Sequence, residues 1–371
     1  MSLILTAEES ARNEERKQRL FELIDSGNCI LMAGSGVTAN MYMTWDGLVQ
    51  KFTEQAKSEE PDFPEREVDE DYAPFFDRVK RAIGERQYYN VIYREFGLKP
   101  VRFQSFHREL VDVPFLAMST TNYDPVLDSA LEDSIVSTHS PEQGSAPSIP
   151  QPIVIAPGIA PEAILDFLKA MNQPEKSAKG VLHLHGFYTN NVSIVLSEQE
   201  YKEKYGFRLL SPELVDEGGD DTWTLHRKLL WALLATRRVL FLGFSINDSY
   251  FRKMLDTVAR DLSAYNSETH YAVFRITDKN KSRTLEKAKT LRSKYGVESI
   301  FYTEDENNKD EGFIDFVREL KNSTGSGKAT RENATVVDTT SDVTAPNSDV
   351  DLKWLNNTRN EINKGLEDGN Q

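Results

Sequence analysis

The chain predicts an open α/β fold with a doubly wound parallel sheet, on three observations. Short continuous apolar runs recur along it, as expected for strands buried on both faces. Amphipathic helical patterns of crossover length separate several of these runs. Glycines and small polar residues follow the runs near residues 34–38, 119–124, 185–186 and 243–248. Those positions correspond to the carboxyl ends of strands, where open α/β sheets bind their ligands.

The elements follow in chain order. Residues 11–26 place Leu20, Phe21, Leu23 and Ile24 at near-helical spacing, with Ser26 and Gly27 as a stop. Cys29–Ala33 (CILMA) is the first apolar run. Residues 48–98 break the alternation: they are charged, aromatic-rich and helical in pattern, and predict a small helical subdomain inserted after the first strand. Further strands are expected at 114–118 (PFLAM), 152–156 (PIVIA), 180–184 (GVLHL), 193–196 (SIVL), 238–244 (RVLFLGF), 271–276 (YAVFRI) and 299–302 (SIFY). Helices are expected at 224–235, 248–262, 283–295 and 311–321. Residues 322–349 are rich in Ser, Thr, Asn and Asp without periodicity and read as a linker. Residues 350–371 read as a flexible C-terminal tail, in which Leu352, Leu355, Ile362 and Leu366 allow one amphipathic helix. The expected organisation is a domain over 1–321, a linker over 322–349 and the tail.

Composition narrows the function classes. Hydrophobic residues make up 39% of the 371, enough for a buried core. No apolar run approaches the ~18–20 residues of a membrane helix, and the N-terminus lacks the basic and apolar regions of a signal peptide. The single cysteine, Cys29, excludes an internal disulfide and a four-cysteine zinc site within one chain. These features predict a cytoplasmic protein with no bound metal. A net charge of −15 argues against direct nucleic-acid binding. The one basic stretch, residues 279–294 (KNKSRTLEKAKTLRSK), reads as a solvated helix face.

Four motifs carry candidate chemistry. In LMAGSGVT (31–38), Gly34 and Gly36 allow a tight turn that brings backbone amides close to a diphosphate, and Ser35 and Thr38 add hydroxyls. A bare turn is the alternative. In STTNYDP (119–125), Asn122 offers a donor and an acceptor and Asp124 a carboxylate; Asp124 before Pro125 also reads as a helix cap. In HLHG (183–186), strand alternation would put His183 and His185 on one face, with His183 a structural residue and His185 a general base. In VLFLGFSIND (239–248), Gly243 and Ser245 would flank an adenosine or diphosphate, and Asp248 reads as an acid at a helix start.

The order GSGVT (34–38), TTNYD (120–124), HLHG with SIVLSEQEY (193–201), and LFLGFSINDSY (240–250) resembles the sirtuin-like NAD-hydrolysing proteins of bacterial antiphage defence. The resemblance covers residues 20–305 and implies a Rossmann-like sheet with NAD as substrate. It implies Asn122 and His185 as catalytic residues, with Gly34, Ser35, Gly36, Val37, Thr38, Thr121, Asp124, Gly243 and Ser245 contacting NAD. The first motif departs from the family's GAGxS at Ser35 and Thr38, both small replacements. The missing zinc ribbon departs from the deacetylating sirtuins. The reaction implied is cleavage of the nicotinamide–ribose bond to give nicotinamide and ADP-ribose. A protein deacylase or ADP-ribosyltransferase, and a non-catalytic NAD-binding assembly subunit, stand as alternatives. The resemblance further implies a conditional effector, a homo-oligomer, and a HerA-type ATPase as partner.

Overall fold

A computed structural model of the chain describes residues 4–68, 70–97, 102–139, 147–156, 161–171, 180–206, 224–246, 248–262, 270–303 and 311–325. Its first helix, α1 (Ala7–Asp25), starts at a capping box. The Thr6 hydroxyl accepts the Glu9 N–H at 3.2 Å, and the Glu9 carboxylate accepts the Thr6 N–H at 2.8 Å. The helix buries Leu20, Phe21 and Ile24 and delivers the chain to β1 (Cys29–Ala33), which is buried along its whole length.

Seven parallel strands form one sheet. The others are β2 (Met118–Thr120), β3 (Ile153–Val154), β4 (Val181–His183), β5 (Arg238–Leu242), β6 (His270–Ile276) and β7 (Val297–Thr303), in the order β3-β4-β2-β1-β5-β6-β7. From β1 the chain adds β2, then β3 at the edge, then β4 between the two. It then returns to the other side of β1 with β5, so the sheet's topological switch lies between β1 and β5.

Helices cover both faces, as strand periodicity requires. Ile30, Met32, Val239 and Phe241 point to the side covered by α6 (Pro161–Ala170), α7 (Glu198–Tyr205), α8 (Leu225–Thr236), α9 (Ser249–Asp261) and α10 (Lys281–Tyr295). Cys29, Leu31, Ala33, Leu240 and Leu242 point to the side covered by α1, α4 (Ser105–Val111), α5 (Val126–Thr138) and α11 (Glu311–Ser323). The fold is therefore Rossmann-like and doubly wound.

A third core belongs to the segment between β1 and α4. Helices α2 (Trp45–Glu59) and α3 (Tyr72–Gly97) pack around Phe52, Phe75, Phe76 and Tyr88, with Phe52 5.0 Å from Tyr88 and 5.3 Å from Phe76 between ring centroids. Gly84, at φ 76°, breaks α3 into two helical stretches. Tyr123, Ile194 and Leu196 complete this core, so the helical pair sits over the carboxyl ends of the strands.

The structure corrects two of the expected strands. Residues 193–196 are not a strand: a 3-10 turn (Asn191–Ser193) leads into irregular backbone. Ile194 and Leu196 fill the α2/α3 core while Val195 joins the sheet core, so the apolar run serves two cores without pairing in the sheet. The PFLAM strand moves downstream to Met118–Thr120, because Leu116 is still on the approach, bonding the Cys29 carbonyl at 2.9 Å. The expected helix within 350–371 lies outside the described residues. No helix among the described residues is long and apolar enough to cross a membrane.

Candidate active site

Two glycine turns interlock at the switch point. The Gly34 and Gly36 amides donate to the Leu242 and Gly243 carbonyls at 2.9 and 2.8 Å, while Val37 and Thr38 donate to Gly34 and Ser35. Among the described residues the Ser35 amide alone of these five has no protein acceptor. The turn thus spends two amides on the end of β5 and two within itself, instead of presenting a row of them to a ligand, as its sequence suggested. Gly34 and Ser35 line the cleft with Gly243 and the exposed Ser245. Val37 and Thr38 are buried beneath it. His107 pins the turn from below. Its Nδ1 accepts the Gln104 N–H at 2.9 Å, which leaves the proton on Nε2 to donate to the Val37 carbonyl at 2.9 Å. Burial lowers its pKa to about 4, so the ring stays neutral. Nothing in its local sequence marks that role.

At the end of β2, Asn122 Nδ2 donates to the Gly34 carbonyl and to Thr38 Oγ1, both at 3.2 Å. The Thr38 hydroxyl donates in turn to Asp124 Oδ2 at 3.0 Å. Thr38 is therefore a link between the first and second motifs, which fixes the amide plane of Asn122. Asp124 Oδ1 accepts the Val126 N–H at 3.1 Å, while Pro125 occupies the cap position itself. Burial raises the Asp124 pKa to about 6, against the pull of those hydrogen bonds. Asn122, Thr121 and Asp124 line a second cleft of about 320 Å³ with Trp45 and Phe96.

The two histidines do not share a face. Strand β4 ends at His183, and the chain turns through Gly186 at φ 89°, with Gly186 donating to the His183 carbonyl. His183 lies toward α5, its Nε2 2.9 Å from Asp128 Oδ2 and its Nδ1 3.0 Å from the Asn122 carbonyl. Burial opposes its charged form, but the Asp128 carboxylate outweighs that and raises its pKa. His185 swings to the other side, toward α7 and α9. It is 2% exposed; among the described residues Nδ1 has no hydrogen-bond partner, and Nε2 is 3.9 Å from Asp248 Oδ2. Tyr201 packs edge-on against its ring at 5.3 Å. Burial lowers the His185 pKa, with Asp248 pulling the other way, so the imidazole is neutral at pH 7.

His185, Tyr201 and Asp248 line an open cleft above the glycine turns. Ser35, Trp45 and Thr121 line both clefts, which places Asn122 and His185 in adjoining spaces. The sequence missed Trp45, Tyr72 and Tyr201, since an aromatic at helical spacing reads equally as core. It also undervalued Asp248. Oδ1 caps α9 by accepting the Phe251 N–H at 2.9 Å, but Oδ2 takes the Tyr201 hydroxyl and faces His185. Ile246, two residues earlier, is buried at φ 52°, an uncommon conformation for a β-branched residue.

Residues 117–300 match the family model of the SIR2-like domain. That span runs from the approach to β2 into β7, and so includes Asn122, His185, Gly243 and Asp248 but not the 34–38 turn. The NAD(+) hydrolase ThsA of Enterococcus faecium is 23% identical over 271 residues, covering 70% of this chain and 45% of that protein. The chain spans less than half the length of that relative.

Proposed function

With a SIR2-like match over residues 117–300 as the premise, we propose that this chain is an NAD glycohydrolase using Asn122 and His185. The observation that carries the proposal is His185 itself. A buried neutral imidazole whose Nδ1 has no hydrogen-bond partner among the described residues stands in a cleft at the sheet's switch point, beside the cleft of Asn122. Among the described residues His226 and His270 are also buried with an unpaired ring nitrogen, but of these three histidines His185 alone lines the cleft. NAD would lie over the Gly34–Ser35 and Gly243–Ser245 turns. Val37 and Thr38 act from beneath, Thr121 adjoins the reacting end, and Asp124 faces the nicotinamide carboxamide.

The step balances simply. The bond between ribose C1′ and the nicotinamide nitrogen breaks, its electron pair neutralising the pyridinium. A water oxygen, held with the Asn122 side chain, bonds to C1′ and loses its proton to His185. Nicotinamide and ADP-ribose leave. His185→Ala and Asn122→Ala are each expected to reduce nicotinamide release at least 100-fold, within the usual span for a positioned base, while circular dichroism stays native. Wild-type turnover in either variant would overturn the assignment.

The same reading makes the chain a conditional, NAD-depleting effector of antiphage defence that assembles with copies of itself and with a HerA-type ATPase. These points rest on the sequence resemblance. The cut for a test belongs after residue 327, because α11 runs to Ser323 and the Gly325 N–H still bonds Asp25 Oδ1 at 2.7 Å. Loss of assembly mass on deleting 328–371 supports a tail-mediated contact; a full-length chain that stays monomeric and fails to co-purify with such an ATPase refutes the partnership.

A further inference from the structure

We propose that Asp248 is the counter-charge through which the buried His185 takes up a proton, a positioning residue for the reaction as well as the cap of α9. The inference rests on the hydrolase reading above. Capping alone does not require a charge, since Asn, Ser and Asp serve about equally at that position. It also uses one oxygen only: Oδ1 accepts the Phe251 N–H at 2.9 Å. Oδ2 is turned inward, onto the Tyr201 hydroxyl and to 3.9 Å from His185 Nε2. Two residues earlier, buried Ile246 holds φ 52°, a costly conformation of the kind that clusters at functional sites.

Among the described residues the surroundings supply no competing anion. Tyr201 and Tyr205 of α7 face the ring edge-on. Tyr250 of α9 stacks on Tyr201, and His226 of α8 lies beyond Tyr205. Burial holds the Tyr201 phenol in its protonated, donating form. Glu200 is directed to Lys80 and the start of α7, and Asp71, the other carboxylate lining the cleft, is exposed at its rim. Proton transfer to His185 creates an imidazolium in a buried place, and among the described residues Asp248 is the carboxylate set to offset it. At 3.9 Å a small rotation closes the pair.

Histidine NMR on the full chain tests this directly. The chain has six histidines, and His185→Gln assigns the signal. In Asp248→Asn, which keeps an oxygen for the cap, the His185 midpoint is expected to fall by about 1–3 units, the usual effect of one nearby opposite charge. In Tyr201→Phe, which releases Oδ2 from its donor, it is expected to rise. Nicotinamide release by Asp248→Asn is expected to drop about 10–100-fold, with the acid limb of its pH profile moved to lower pH. A His185 midpoint unmoved in Asp248→Asn, or a slower variant with an unmoved acid limb, overturns the proposal. If wild type releases no nicotinamide, the hydrolase reading fails, while the titration still decides whether the two residues are paired.

Discussion

Between the two interlocked turns there is no room for a methyl group. A Cβ on Gly34 would lie 2.6 Å from the Gly243 carbonyl oxygen, and one on Gly243 would lie 2.3 Å from the Val37 nitrogen. Both neighbours are backbone, so nothing flexible can yield. Gly243 also holds φ 62°. Gly243→Ala is therefore expected to destabilise the fold by about 2–4 kcal/mol, combining left-handed strain with overpacking. Gly27→Ala, at φ 69° in open space, is expected to cost only about 1–2 kcal/mol. Urea unfolding of the two variants compares them; equal losses would mean that the seam is not rigid. Asp124 gives a pH signature at the same scale. Its folded pKa, raised to about 6, lies above the ordinary 3.8, so folding favours its protonated form. The stability it confers is present at low pH and is lost as pH rises from about 4 through about 6. Asp124→Asn lacks this loss. Relative to wild type, the variant is expected to gain stability between pH 4.5 and pH 7, measured as the gap in urea midpoints. A gap that closes or reverses the other way would show that Asp124 is stabilised as the carboxylate.

Among the elements, α7 connects the helical insertion to the cleft through two consecutive residues. Glu200 accepts the Leu196 and Ser197 amides at 2.9 and 2.8 Å and pairs with Lys80 of α3 at 3.1 Å. Tyr201 holds Asp248. Glu200→Gln leaves Lys80 without its buried partner and is expected to cost about 3 kcal/mol. Hydrogen exchange should quicken first in 72–97, and uniform quickening across the sheet would argue against a local clamp. The strands and helices themselves were legible because two-face burial writes continuous apolar runs, and because crossover helices carry their own period. The run 193–196 misled because two cores claimed alternate residues of one irregular segment. His183 and His185 misled because alternation assumes that a strand continues, and Gly186 ends it. Asp248 was visible as a cap. Its second oxygen was not, since its partners His185 and Tyr201 come from distant parts of the chain.

For the whole molecule, the site is a property of topology. The first, second and fourth motifs end strands β1, β2 and β5, which lie side by side in the order β2-β1-β5, and the third ends the chain's passage through β4 beside β2. Their order is legible along the chain; only the sheet explains why they meet at one end. A ligand bound there touches elements from both sides of the switch point and should stabilise all of them together. ADP-ribose at 100 times its dissociation constant is expected to raise the unfolding free energy by about 2.7 kcal/mol. A thermal midpoint that does not move with ADP-ribose would place the binding site elsewhere.

The seam between Gly34 and Gly243 also sets a timetable. Its two sides are made far apart in synthesis, since β1 ends at Ala33 and β5 does not end until Leu242. A ribosome adds residues N-terminal first, and contacts this distant must await the later partner. A nascent chain that has released β1 through β4 has Asn122 and His185 but neither the floor of the cleft nor Asp248. Translation must pass the fourth motif before the cleft can form, and an interrupted message yields a chain without its floor.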